Sequence, residues 1–378
     1  MTRNIASSKH ATSRRAGHRG NVGTIVLSSR IRLARNLAGF PFPDWSTEDK
    51  RQAIFNKLEP AIEKAGRLSG TPLSSFSLES CRDKDFTGSL RENNAISQQL
   101  LDREKGAGFF LQEQTGEKTD SALVVMVNEE DHVRIQIFRA DDALEEAWAQ
   151  ADRFDSNLGQ QVDYAFSDHL GYLTACPSNL GTAMRASVML FLPGLQLLDD
   201  LEPTSRAIQA LGYNVRGRNG EGTSALAGTI QISNMGTLGR TEKEVIASLR
   251  KITDEIIRLE TNARRYLLNK GQMILNDLVA RSLSLLQTAY LLQSEEAYQA
   301  LSALRLGVEL GLVRGISLEK IILLTETTGH CHIHRAMLYS NEPLQVADNA
   351  DLRDAYRAAM VRKATKRAKF YSLGSIWD

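Results

Sequence analysis

Apolar positions recur along this chain with two periods, and the change from one to the other divides it. From Thr24, "TIVLSSRIRLARNL" opens as a β-branched strand and runs into a segment bearing Arg30, Arg32 and Arg35. Residues 50–68 place Ile54, Leu58 and Ile62 at four-residue spacing, which predicts an amphipathic helix. "GAGFFLQ" and "ALVVMVN" read as paired strands around the polar turn "EQTGEKTDS". "HVRIQIF" reads as a third strand, alternating Val133, Ile135 and Ile137 with Arg134 and Gln136. Residues 140–160 are expected as helix, "GYLTACP" as a strand ending at Pro177, and "TAMRASVMLFLPGL" as helix. "YNVRGRNGEGTSALAGTIQISN" reads as strand, Gly-rich loop and strand, and after Asn234 helical spacing dominates. Strands first and helices last predict an α+β domain followed by a separate helical one.

Composition narrows the class. The chain of 378 residues is long enough for two domains, and 42% apolar with 24% charged residues is ordinary for a globular protein. A net charge of +1 leaves no global field for nucleic acid or a membrane, so any electropositive site must be local. Three cysteines, Cys81, Cys176 and Cys331, suggest a reducing compartment, and no apolar run approaches the roughly 18 residues of a membrane span. A cytoplasmic protein is expected. "MTRNIASSKHATSRRAGHRG" is basic and has no apolar stretch, so residues 1–20 read as a solvated, disordered tail and not as a leader.

The stretch "VVMVNEEDHVRIQIF", residues 124–138, sets Glu129, Glu130, Asp131, His132 and Arg134 inside an apolar run. Buried charges are costly unless paired, so this is a sheet edge turning into solvent or the floor of a site. Arg30, Arg32, Arg134, Arg185, Arg216 and Arg218 all fall on or beside expected strands or their turns. Each alone reads as a solvated surface arginine. Beside "CPSNLGTAMR" and "RGRNGEG", whose glycines admit close approach of backbone to a ligand, they read as a phosphate cradle. There is no G-x-x-x-x-G-K-[ST] and no strand-borne G-x-G-x-x-G, so neither common nucleotide motif applies. Scattered guanidinium groups, suited to bidentate contact with oxyanions, would hold the phosphate instead.

"VLSSRIRLARN", "VNEEDHVR", "GYLTACPSNLGTAMRASV" and "VRGRNGEG…QISN" resemble, in order and spacing, the catalytic blocks of the phosphagen (ATP:guanido) kinase family. Within it the chain looks most like the bacterial protein arginine kinases. The resemblance implies a guanido-kinase catalytic domain over residues 21–265, an antiparallel sheet flanked by helices, followed by an all-helical C-terminal domain over 266–378. It implies ATP with Mg²⁺, the nucleotide being held by Ser28, Arg30, Arg32, Arg134, Arg185 and Arg216. It matches Glu130 and Glu221 to the carboxylates that orient the substrate guanidinium and take its proton, and Cys176 to a supporting group beside it. Glu130 and Arg134 are expected on one strand, where residues four apart share a face. Asp131 and His132 take structural roles in this reading, and Glu129 helps order the hydration shell of Mg²⁺. Asn94 stands where relatives often carry a histidine that meets the nucleotide.

The implied activity is phosphorylation of arginine side chains in proteins, within protein quality control and heat-shock regulation. "SSRIR" begins at Ser28, which leaves no room for the helical N-terminal domain that closes small-substrate relatives over a free amino acid. Implied partners are proteins with exposed arginine, among them a heat-shock repressor, and a Clp-type protease. An activator protein and a homo-oligomer stay open; direct nucleic-acid and membrane partners are not expected. Kinase action on a free guanidino compound, or a non-catalytic phosphoarginine-binding scaffold, are the rival readings. In the C-terminal part, Arg353, Asp354, Arg357 and Ala358 match an R-D-x-x-R-A motif, which the resemblance makes an allosteric phosphoarginine pocket. On spacing alone the same residues form an ion-paired helix face. "HCHIHRAM" invites a zinc reading, but ligands usually come from two separated segments and the sequence shows one, so no metal site is expected there.

Overall fold

Alternation along the strands, and not helix packing, builds the centre of the molecule. The computed structural model describes residues 24–81, 83–103, 105–113, 121–217, 226–340 and 344–374. The expected tail over 1–20, most of the turn after "GAGFFLQ", and the stretch of the Gly-rich loop with Arg218 and Glu221 lie outside the described residues. In chain order come β1 (Val26–Arg35), α1 (Glu48–Leu68), β2 (Leu73–Ser77), α2 (Lys84–Glu92), α3 (Gln98–Leu101), β3 (Gly108–Gln112), β4 (Ser121–Val127) and β5 (Val133–Ala140). Then follow α4 (Leu144–Gly159), β6 (Phe166–Ser167), β7 (Gly171–Tyr172), β8 (Met184–Phe191), α5 (Pro193–Leu197), α6 (Leu201–Ala210), β9 (Tyr213–Gly217) and β10 (Thr229–Asn234). An eight-stranded sheet results, in the order β2-β3-β4-β5-β1-β8-β10-β9, with every pairing antiparallel.

Register sorts the side chains between two faces. Ile31 lies opposite Ile137 and Ala186, and Leu33 opposite Ile135 and Met184; this face is apolar and buried. Helix α1 covers part of it with Ile54, Leu58 and Ile62, α4 with Ala147, Ala151, Phe154 and Leu158, and α7 (Glu242–Lys270) with Val245, Leu249 and Ile256. Thr47 caps α1 by accepting from the Lys50 N–H, and Thr241 and Glu244 form a reciprocal capping box on α7. Arg35, at an odd position in β1, points to the same side and is buried against Asp155 of α4 (Nη2–Oδ2 2.7 Å), with its guanidinium over the Tyr172 ring.

Two expectations need correction. "TAMRASVMLFLPGL" is not a helix: its central residues form β8, hydrogen-bonded to β1 on one side and β10 on the other. Its Ala, Met and Leu favour helix weakly, and two complete ladders outweigh that preference. Met184, Ala186, Val188 and Leu190 alternate with Arg185 and Ser187, but apolar Met189 and Phe191 on the second face blur the period that marks a strand. "GYLTACP" is extended only at Gly171–Tyr172; beyond it the chain loops into a 3₁₀ turn at Pro177–Asn179.

After β10 the chain is almost wholly helical: α7, α8 (Gln272–Thr288), α9 (Ser294–Glu309), α10 (Leu318–Thr327), α11 (His330–Tyr339), α12 (Leu344–Asp348) and α13 (Ala350–Thr365). The two-residue strands β11 (Val313–Arg314) and β12 (Lys369–Phe370) pair with each other. Leu275, Val279, Leu301, Leu304, Ile321 and Val361 form a second core. The fold is α+β, an antiparallel sheet with flanking helices and a helical C-terminal region. Arg264 of α7 joins the two cores: it donates to Glu260 Oε1 (2.6 Å), Glu309 Oε2 of α9 (2.9 Å) and the Phe191 carbonyl (3.1 Å). Glu260 in turn accepts the N–H groups of Gly194 and Leu195 at 2.9 Å each. No helix among the described residues is long and apolar enough to cross a membrane.

Candidate active site

The second face of the sheet carries the arginines. Arg32 lies opposite Gln136 of β5 and Arg185 of β8, Arg30 opposite Phe138 and Ser187, Arg134 opposite Ala34 and Met126, and Arg216 opposite Gln231. Cross-strand partners share a face, so Arg30, Arg32, Arg134, Arg185 and Arg216 all stand on one side, with Ser28 two residues along from Arg30. Arg30, Arg32, Arg134 and Arg216 line a cleft of about 120 Å³, together with Asn94, Ile96 and Gln136. Asn94 stands at this cleft on a backbone at φ 57°. Gln136 holds that wall in place by donating to the Ala95 carbonyl at 2.8 Å.

The arginines repel one another. Burial, then Arg185, Arg134 and Arg216, push the Arg30 pKa down to about 9; Arg32 is lowered well below its ordinary value by burial and then by Arg30 and the others. Arg30 donates to Gln231 Oε1 (3.1 Å) and Arg185 to Ser233 Oγ (2.9 Å), while Arg32 Nε is buried with no partner among the described residues. A concave surface of clustered guanidinium groups suits a polyanion.

Glu130 is not on the strand with Arg134. Residues Asn128–His132 form the connection between β4 and β5, closed by Asn128 N–H donating to the His132 carbonyl at 3.0 Å. Asn128 takes φ 58°, tolerable for asparagine, and anchors the bend by donating to the carbonyls of Arg51 and Gly106. The turn still brings both acids to Arg134, which donates to Glu129 Oε1 (2.7 Å) and Glu130 Oε2 (3.1 Å). Glu130 is half-buried, and its pKa is raised by burial, with Asp131, Glu129 and Asp44 adding to this and Arg134 opposing it. Glu129 is buried, and its Oε2 has no partner among the described residues.

Asp131 and His132 are fasteners. Asp131 Oδ1 accepts from Asn36 Nδ2 (2.7 Å) and the Ala175 N–H (2.8 Å), so it ties the hairpin of Glu130 to the segment of Cys176. His132 Nδ1 accepts the Leu37 N–H, and Nε2 must then donate to the Pro41 carbonyl, which makes the ring neutral; burial lowers its pKa accordingly. The Cys176 thiol lies 2.9 Å from Ser178 Oγ, half-buried at the start of the 3₁₀ turn and not in an apolar strand. The fold also adds Asn36 and Arg103, the latter donating to the Glu129 carbonyl and pairing with Asp44. Neither carries a sequence signal, since each acts through partners remote in the chain. In the C-terminal part, Arg357 is buried, donating to the carbonyls of Thr328 and Leu292 and pairing with Asp354. Arg353 is half-buried and donates to the Ala347 carbonyl, and Ala358 is buried beside them.

Comparison with known proteins agrees with this geometry. Residues 56–263 match the family "ATP:guanido phosphotransferase, C-terminal catalytic domain", and residues 272–372 match the "Protein-arginine kinase McsB C-terminal domain". The chain is 39% identical over 347 residues to a protein-arginine kinase of Pelotomaculum thermopropionicum, covering 91% of this chain and 93% of the relative. It is 37% identical over 295 residues to a protein-arginine kinase of Clostridium acetobutylicum, covering 78% and 84%. Among solved structures, the substrate-free duplicated taurocyamine kinase of Schistosoma mansoni superposes with a TM-score of 0.54 at 25% identity, covering 73% of this chain and 39% of that one. A lombricine kinase superposes with a TM-score of 0.53 at 25% identity, covering 66% and 70%.

Proposed function

We propose, on the premise that the chain belongs to the ATP:guanido phosphotransferase family and within it to the protein-arginine kinases, that the polar face of its sheet is where the γ-phosphoryl group passes from ATP to a protein arginine. The chain is a kinase of arginine side chains in proteins. Arg30, Arg32, Arg134, Arg185 and Arg216 hold the phosphates, with Ser28 beside them. Phosphoryl transfer asks for charge neutralisation and alignment more than covalent help, and a set of guanidinium groups on one rigid face supplies both. An arginine nitrogen becomes a nucleophile only as its proton leaves. Glu130, whose pKa lies above the usual carboxylate range, accepts that proton as the N–P bond forms and the P–O bond to ADP breaks. Glu221, outside the described residues, is the second carboxylate of this proposal, and Cys176 supports the guanidinium from the far side.

Arg134 has two roles. In the free protein it is held by Glu129 and Glu130; an arriving phosphate competes for it and leaves Glu130 to the substrate. The residues also fit Mg²⁺, since Glu129 Oε2 is a buried oxygen acceptor with no partner beside the phosphate face. Bound there with ATP, the ion would neutralise charge on the phosphate oxygens. We further propose the division into a catalytic domain over 21–265 and a helical domain over 266–378, a phosphoarginine pocket at Arg353, Asp354, Arg357 and Ala358, and a cytoplasmic setting. A heat-shock repressor as substrate and a Clp-type protease as partner rest on the family resemblance alone.

One observation carries the reading: five arginines converge on one sheet face beside a carboxylate whose pKa is raised. The test is incubation with ATP and an arginine-rich protein, with free arginine in parallel. Acid-labile, base-stable phosphate on the protein, with little on free arginine, is expected. Acid-stable label on the protein, or labelling of free arginine alone, overturns the proposal.

A further inference from the structure

The histidine-rich segment at 330–334 has no part in the phosphate face. In sequence it offers nitrogen and sulfur donors from one segment only. The fold supplies a second: Glu92, the last residue of α2, reaches the first turn of α11. Glu92, His330 and Cys331 bring a carboxylate oxygen, an imidazole nitrogen and a sulfur to within 4.8 Å of one another. Cys331 Sγ lies 3.9 Å from His330 Nδ1. Sulfur and nitrogen on one tetrahedral zinc ion stand roughly 3.5 Å apart, so little movement is needed.

The surroundings are built to hold these groups. His332 Nε2 lies 3.4 Å from Asn93 Nδ2, an amide donor, so its Nδ1 donates to Glu92 Oε2 at 3.0 Å. Glu92 Oε1 accepts the Cys331 N–H at 2.9 Å. Outer hydrogen bonds of this kind orient ligating carboxylates in metal sites. Two glycines make the space: a Cβ on Gly88 would lie 2.5 Å from Cys331 Sγ, and one on Gly329 would collide with Glu92 Oε2.

We propose that Glu92, His330 and Cys331 bind a transition-metal ion of the zinc class, with a fourth position open to water. Thiolate with imidazole and carboxylate favours Zn²⁺ or Co²⁺ over Mg²⁺ or Ca²⁺, which take oxygen donors. On binding, the Cys331 S–H bond breaks, the S–metal bond forms, and the proton leaves to solvent. The ion fastens α2, beside the sheet, to α11 of the C-terminal helices. Asn94, two residues past Glu92, lines the phosphate cleft, so the ion also steadies that wall.

The experiment uses the full-length protein stripped by chelator and titrated with Co²⁺, then competed with Zn²⁺. One equivalent should bind with a thiolate-to-cobalt absorption band in the near ultraviolet, and Zn²⁺ should erase it. Cys331→Ser should remove the band and His330→Ala should weaken binding by at least about tenfold, while Cys81→Ser keeps both. Zn²⁺ should raise the melting temperature of wild type and not of Cys331→Ser, the two melting alike in chelator. If Cys331→Ser does not fold, His330→Ala, altered at an exposed side chain, decides the matter alone. Absence of stoichiometric binding, or a band indifferent to both substitutions, overturns the site.

Discussion

Glu130 shows how one side chain's surroundings set both its pH range and its partner. Its carboxyl is raised above 4.5 chiefly by burial, so the folded protein holds that proton more tightly than the unfolded chain does. The group's contribution to stability is therefore greatest at low pH and falls as pH rises from 4.5 through the folded value. In the role proposed for Glu130 activity runs the other way, because a proton acceptor must be charged. The rate of arginine phosphorylation should rise along an acidic limb displaced above 4.5. Glu130→Gln should abolish that limb and lower kcat by about 10²–10⁴-fold. Calorimetric titration should show ATP affinity retained in the variant, because Arg134 loses a competitor for the phosphate. A parallel collapse of ATP binding would place Glu130 on the nucleotide side instead.

At the scale of the element, the loop from β7 to β8 places Cys176 by close backbone contact. Gly181 takes φ 104°, and a Cβ there would lie 2.6 Å from the Thr237 carbonyl oxygen; Gly171 packs against Gly181 in turn. Gly181→Ala should cost about 1–3 kcal/mol in denaturant unfolding. It should also depress kcat, since Asp131 holds the other end of this loop to the hairpin of Glu130. How far such elements can be read from the chain depends on their neighbours. Alternation in "RIRLAR" already separates Arg30 and Arg32 from Arg35, and the structure puts them on opposite faces. "MRASVMLF" carries the same mark only in its first half, where Arg185 and Ser187 alternate with Met184, Ala186 and Val188, and Met189 and Phe191 then blur it. Glu130 and Arg134 are visibly close in sequence, yet only the turn at Asn128 shows how they meet. Asn36 and Asp131 stand 95 residues apart, so their bond is invisible until the sheet is folded.

For the molecule as a whole, the joint between the two cores is polar and buried. Arg264, Glu260 and Glu309 are each held within a network that also takes up the backbone of α5. Glu309→Ala removes an acceptor from Arg264 and from Arg305 at once. It should destabilise the protein by about 3–5 kcal/mol in denaturant unfolding, because Arg264 is left buried with one carboxylate fewer. Like charge on the arginine face acts in the opposite sense to this joint, pressing strands apart that the apolar face holds together. ATP bound as proposed would relieve that pressure, so nucleotide should raise the melting temperature and slow cleavage by an added protease, with Arg32→Ala blunting both effects. On that expectation the folded fraction becomes a gauge of nucleotide supply, with the guanidinium face as its sensing element.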